Sequence, residues 1–195
     1  MATATRKTAA AKATRKTPAR TSRAASGSSG QDAIALLRAD HRKVSELYTQ
    51  YEATRSAAKK KALVATICLE LSVHARVEEE IFYPAVKAAL KDKELVPEAQ
   101  VGHASLKELI AQVKDKEPDG EMFDAKIKVM SEYTKHHVKE EQNEMFPKVK
   151  KTRLDLQELG ARIAARKEEL MADPQLLDAP PAMAAMESLE TASAG

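Results

Sequence analysis

Residues 73–86, VHARVEEEIFYPAV, and residues 136–149, HHVKEEQNEMFPKV, are two versions of one segment. His74, Glu78, Pro84 and Val86 of the first copy correspond to His137, Glu141, Pro147 and Val149 of the second, and an aromatic recurs where Tyr83 is matched by Phe146. Residues four apart on a helix project from one face, so each copy offers an imidazole and a carboxylate to the same point in space. Two such copies can face each other across a bundle of helices. That is the chemistry of a metal site.

The stretches around the two copies read as helix. Breaks at 52–56, 91–97 and 118–120 leave four long periodic segments at about 31–51, 57–90, 97–116 and 121–152. The first carries Ile34, Leu37, His41, Val44 and Tyr48 at heptad-like spacing, and the second carries Leu63, Ile67, Leu71, His74, Glu78 and Ile81. The third reads Ala99, His103, Leu106, Ile110 and Val113; the fourth reads Phe123, Ile127, Met130, Tyr133 or Thr134, His137 and Glu141. Each stripe is apolar until it meets a histidine. With a helical rise of about 1.5 Å per residue, an up-down-up-down bundle brings His103 and His137 to one level, with a looser match between His41 and His74. Pro84 and Pro147 each remove a helical hydrogen bond at the same offset from His-x-x-x-Glu, which predicts a bend shared by both helices. A fifth amphipathic stretch at 154–171, with Leu156, Leu159, Ile163 and Leu170, is expected to pack on the bundle or to mediate self-association, with no chemistry of its own.

Composition supports an all-α reading. Among 195 residues, 43% are hydrophobic and 31% charged, with six Gly and no Trp, enough for one helical domain with a core plus tails. The lone Cys68 excludes an internal disulfide framework and reads as a buried, inert thiol. Glu70 interrupts the longest apolar run well short of the roughly 20 residues that span a bilayer, so no membrane partner is expected and the chain is placed in the cytoplasm. The net charge of +3 divides unevenly: residues 1–30 hold seven basic side chains and no acid, leaving −4 on the rest. This Ala/Thr/Ser-rich segment, with TRKT at Thr5 and again at Thr14, is expected to be a disordered basic arm. Such an arm suits non-specific binding to DNA or another polyanion, and hence a nucleoid association; its composition also suits an organelle transit peptide or a merely solubilising extension. The expected organisation is an arm at 1–30, a metal-binding bundle at 31–152, an accessory helix at 153–172 and a flexible, proline-interrupted tail at 173–195.

A single histidine on an apolar stripe is more often a hydrogen-bonded core residue than a ligand, whereas a buried glutamate needs a stronger reason, because an unpaired carboxylate is costly to bury. Four helices each sending one histidine inward, two of them adding a glutamate one turn on, turn the balance toward metal. The candidate ligands are His41, His74, Glu78, His103, His137 and Glu141. His136, beside His137, points away and is expected at the rim; Glu79, Glu80, Glu108 and Glu140 read as solvated faces, and Glu70 and Glu144 as extra ligands or partners behind the ligands. Tyr48 and Tyr133 read as core aromatics, and no catalytic residue is assigned. His-Glu-x-x-His, paired cysteines and Gly-rich phosphate loops are absent from the sequence, and the ferritin-type Glu-x-x-His signature differs from the His-x-x-x-Glu found twice here.

Together these residues resemble the hemerythrin-like HHE cation-binding family. The resemblance covers about 31–150 and rests on His41, on His74-x-x-x-Glu78 with the following Ile-Phe-Tyr-Pro, on His103, and on His137-x-x-x-Glu141 with the following Met-Phe-Pro. It implies an antiparallel four-helix bundle and a non-haem centre of two Fe ions, bridged by the two glutamates and an oxo or hydroxo group. It also implies that His41 and His74 hold one iron and His103 and His137 the other. Lys107 stands where oxygen-carrying hemerythrins place a further histidine, and Gly102 where many bacterial HHE domains carry Glu. Both differences weigh against a dedicated oxygen carrier. Two six-coordinate irons offer about twelve positions, of which these ligands and a bridging oxygen fill about ten, leaving room for a small diatomic ligand or peroxide. Three functions suit such a site: binding or sensing of O2, nitric oxide or iron and oxidant status; an enzyme that decomposes peroxide or removes nitric oxide; and a DNA-associated protective protein that uses its basic arm.

Overall fold

The computed structural model describes Met1 and residues 30–179, so most of the basic arm and the end of the C-terminal tail lie outside the described residues. Among the described residues every regular element is a helix. Helix α1, Ala33–Ala53, starts where the Asp32 carboxylate accepts a hydrogen bond from the Ala35 N–H at 2.8 Å. Helix α2, Ala57–Val77, starts at Ser56, whose hydroxyl caps Lys59. These side-chain oxygens satisfy amide donors that have no partner within the first turn. The α2 backbone runs through a π-helical turn, Glu78–Phe82, into α3, Tyr83–Ala89. Helix α4 spans Leu95–Val113, and α5 spans Glu121–Glu140. A second π-helical turn, Glu141–Met145, leads from α5 into α6, Phe146–Val149. Helix α7, Leu156–Ala172, is capped by Asp155, which accepts from the Gln157 and Glu158 amides.

The four helices that carry histidines touch in a closed cycle, α1 with α2, α2 with α4, α4 with α5, and α5 with α1. Two apolar clusters fill the interior. One gathers Leu37, Val77, Phe82, Phe146, Ile163 and Leu170; the other gathers Val44, Ile67, Leu106, Ile110, Ile127 and Met130. Helix α7 packs on α1 and α2 and contributes Leu159, Ile163 and Leu170 to the first cluster. It is part of the core.

Three expectations change here. The bend foreseen at Pro84 and Pro147 takes the form of a π-helical turn just before each proline, in which Tyr83 N–H bonds to the Glu78 carbonyl and Phe146 N–H to that of Glu141. The segment foreseen as a flexible tail from 173 opens with a 3-10 turn, Pro174–Leu177, because Leu176 and Leu177 find apolar cover on the first cluster. The Leu177 and Ala179 carbonyls there each accept from the buried Arg76 guanidinium at 2.6 Å. Tyr133, foreseen as a core aromatic, is 50% exposed because Thr134 takes the inward position of that helical turn. Among the described residues no helix is long and apolar enough to cross a membrane.

Candidate metal centre

The six candidate ligands occupy one layer between the two apolar clusters. Along α1, His41 separates Leu37 from Val44; along α2, His74 separates Leu71 from Val77; along α4, His103 separates Ala99 from Leu106. On the fourth helix His137 and Glu141 fall between Met130 and Met145. The helical repeat therefore stacks all six candidates at one height.

The structure brings all six together. His41 Nε2 and His74 Nε2 lie 3.1 Å apart, and His103 Nε2 and His137 Nε2 are also 3.1 Å apart. The Glu78 carboxylate joins the pairs, with Oε2 3.2 Å from His74 Nε2 and 3.4 Å from His103 Nε2. Glu141 Oε2 sits 3.3 Å from His41 Nε2 and 3.7 Å from His137 Nε2. The donor atoms fall into two groups, His41, His74, Glu78 and Glu141 in one and Glu78, His103 and His137 in the other, each with its atoms within 4.8 Å of one another.

Two of the four rings, His103 and His41, are hydrogen-bonded from behind, and a third, His74, faces a carboxylate. The His103 Nδ1 is 3.1 Å from Glu79 Oε1, His74 Nδ1 is 3.5 Å from Asp40 Oδ2, and His41 Nδ1 is 3.0 Å from the Gln142 amide. A carboxylate that accepts from Nδ1–H fixes ring orientation and leaves Nε2 free to coordinate, as Glu79 does for His103. The two carboxylates are anchored in turn: Lys107 donates to both oxygens of Glu79 at 2.6 and 2.7 Å, and Lys167 of α7 bonds Asp40. Lys107 thus supports the candidate ligand His103 from outside. The fourth ring, His137, borders an open groove of about 480 Å3 lined by Gly102, Val101, Tyr133 and His136. An alanine methyl at position 102 would stand in ordinary van der Waals contact with His137 Nδ1, at 3.6 Å.

The electrostatics follow from two carboxylates enclosed with four imidazoles. Burial opposes charge on His74 and His103, yet the acids around them prevail: His103 is pushed up to about 9 by Glu78 and Glu79, and His74 is raised by Glu78 and Asp40. Glu141 is held low against its burial by His41 and His137. His137 is lowered, chiefly by burial.

Sequence reasoning misplaced several side chains. Glu79 holds His103, and Glu80, whose side chain is 7% exposed, is bound by Arg166 of α7 at 2.7 Å. Neither is a solvated face, because a helix from outside the four-helix pattern and a lysine on α4 reach over them. Glu70 is buried but pairs with Lys43 at 2.6 Å, away from the ligands, and Glu144 is exposed. His136 is exposed and pairs with Glu140, as foreseen. Asp40, Gln142 and Tyr83 were missed. Tyr83 is wholly buried, and its hydroxyl lies 3.0 Å from Glu141 Oε1, 3.3 Å from Glu78 Oε2 and 3.3 Å from His103 Nε2. The only sequence signal was its place in the repeat, where the second copy has Phe146.

The donor set fits a cation. Glu78 Oε1 and Glu141 Oε2 are buried without a hydrogen-bond partner, and the paired Nε2 atoms converge on common points. Buried carboxylate oxygens in that condition are costly unless a positive charge meets them. Residues 32–149 match the Hemerythrin HHE cation binding domain. The chain belongs to the hemerythrin HHE cation-binding family.

The HHE match spans both copies of His-x-x-x-Glu and the histidines of α1 and α4. Among individual proteins, the DNA nickase of Nostoc sp. is 26% identical over 115 residues, which are 59% of this chain and 32% of that protein. The chain therefore spans about a third of that relative's length. Uncharacterized protein Rv2633c of Mycobacterium tuberculosis is 26% identical over 126 residues, 63% of this chain and 76% of that one. The crystal structure of a Hemerythrin HHE cation binding domain-containing protein, the Rv2633c homolog from Mycobacterium kansasii, superimposes with a TM-score of 0.62 at 24% identity. That superposition covers 71% of this chain and 86% of that one, and it speaks to the HHE fold.

Proposed function

We propose that this chain is a non-haem di-iron protein that binds a small diatomic ligand or peroxide and thereby responds to O2, nitric oxide, or iron and oxidant status. In this reading the four histidine-bearing helices form an antiparallel up-down-up-down bundle, His41 and His74 would hold one iron, His103 and His137 would hold the second, and Glu78 and Glu141 would serve both. The single observation that carries it is the sharing of Glu78 between two donor groups, the arrangement a two-metal site needs. Bound iron would supply redox and Lewis-acid chemistry at an open position. The protein's own residues do the rest. Glu79, Asp40 and Gln142 orient the rings, Phe82 and Phe146 keep water from the layer, and the groove beside His137 admits a small molecule.

Elemental analysis and optical spectra of anaerobically iron-loaded protein, before and after O2, nitric oxide or peroxide, test this reading. About two irons per chain and a spectrum that responds to one of these ligands are expected, with both lost or halved in His74→Ala. A colourless protein without iron would overturn it. Sustained oxygen evolution from hydrogen peroxide, abolished in Glu141→Ala, would make the same centre an enzyme.

Two observations favour a further role on DNA in the cytoplasm or nucleoid. Residues 1–30 carry seven basic side chains and no acid, and a relative is named as a DNA nickase. Such a segment binds phosphates by releasing counterions. Deleting residues 1–30 is expected to abolish salt-dependent retention on DNA, and unchanged retention would eliminate this role.

A further inference from the structure

The two donor groups are unequal. The first has four protein donors, His41, His74, Glu78 and Glu141, whereas the second has three, Glu78, His103 and His137. Beside the second group lies an oxygen from outside the four histidines and two glutamates. Tyr83 Oη is 3.3 Å from His103 Nε2, 3.5 Å from His137 Nε2, 3.3 Å from Glu78 Oε2 and 3.0 Å from Glu141 Oε1. A phenol has one proton to donate, so it can satisfy only one of these four atoms at a time. An oxygen standing among four ligand atoms occupies the position of a ligand.

The backbone puts it there. In an uninterrupted α-helix, residues five apart diverge by about 140° around the axis, which would carry Tyr83 off the face of Glu78. The π-helical turn Glu78–Phe82 takes in one extra residue before closing, with Tyr83 N–H bonded to the Glu78 carbonyl, and so returns Tyr83 to that face. The equivalent turn in the second copy delivers Phe146, whose ring lies parallel to that of His41 with centroids 6.0 Å apart. The same device thus gives one half of the site an oxygen and the other half a hydrocarbon wall.

We infer that Tyr83 is a ligand of the second metal ion, a tyrosinate whose phenolic oxygen has no counterpart at the first position and makes the two metal positions chemically distinct. On coordination the phenol O–H bond is exchanged for a metal–oxygen bond, and the proton is released to solvent. This inference rests on the di-iron reading.

The test uses full-length protein loaded anaerobically with Fe(II) and then oxidised with ferricyanide, and reads iron content, visible absorption and resonance Raman scattering. A phenolate on Fe(III) gives a visible charge-transfer band, and excitation into that band enhances tyrosine ring modes. Wild type is expected to show both, and Tyr83→Phe, a change already present in the second copy of the repeat, is expected to lose both while keeping its helical circular dichroism. Two irons per wild-type chain without enhanced ring modes would overturn the ligand assignment alone. Absence of iron from wild type would remove the di-iron reading and this inference with it. An unchanged band in Tyr83→Phe would also overturn it, and should that variant fail to fold, the wild-type Raman spectrum decides by itself.

Discussion

At the scale of single residues, the candidate centre depends on charges set one layer behind the six inward side chains. Glu79 lies between His103 and Lys107, so a carboxylate that looked solvated in sequence instead steers an imidazole. Replacing it by Gln should weaken metal binding roughly 10- to 100-fold, read by competition with a chelator, while leaving the fold intact. The buried acids also make protein stripped of metal sensitive to pH. His103, raised from 6.5 to about 9, and His74, also raised, stabilise the folded state through their protonated forms. That contribution is full below the unfolded value near 6.5 and disappears as pH climbs through the folded value. Chelator-treated protein should therefore melt at a lower temperature at pH 9 than at pH 6.5, with His103 contributing about 3 kcal/mol at most. Divalent metal, by replacing those protons, should flatten the dependence. A pH-independent melting temperature without metal would contradict this.

At the scale of elements, proline and π-turn work together. Pro84 and Pro147 have no N–H for the carbonyl four residues back, and their rings crowd it; widening the preceding turn relieves both problems without ending the helix. The widened turns also set which side chains face the site after each His-x-x-x-Glu. Pro84→Ala restores the donor and allows ordinary α-helical closure, which would rotate Tyr83 away from Glu78. The expected outcome is unchanged or slightly higher thermal stability with reduced iron content, measured on the same preparation. Undiminished iron with the normal spectrum would show that the turn is held by packing instead.

At the scale of the whole molecule, α7 is clamped to the layer that holds the ligands. Lys167 bonds the Asp40 that faces His74, Arg166 binds Glu80 within the first π-turn, and Arg76 ties down the 3-10 turn that follows α7. The closest approach is at Gly160. A methyl there would meet the Gln31 carbonyl oxygen at 2.5 Å and the Ala33 nitrogen at 2.8 Å, both backbone atoms at the start of α1. Gly160→Ala should cost about 1–3 kcal/mol in a denaturant titration and loosen metal binding through the Lys167–Asp40–His74 chain. A variant as stable as wild type would mean that α7 docks with more slack than the structure shows.

Helical class, the four apolar stripes and the six candidate ligands could be read from order alone, because a 3.6-residue period writes each buried face into the chain and a repeated His-x-x-x-Glu marks that face twice. Asp40, Glu79, Glu80 and Gln142 could not, since each looks like one more polar residue until another helix covers it. Tyr83 was hidden for a different reason: the α-helical period places it off the site, and only the π-turn brings it back. Local periodicity determined which residues turn inward. Contacts between distant segments, together with one local departure from that periodicity, decided which polar atoms meet at the centre, and those depend on packing that no single stretch of sequence contains.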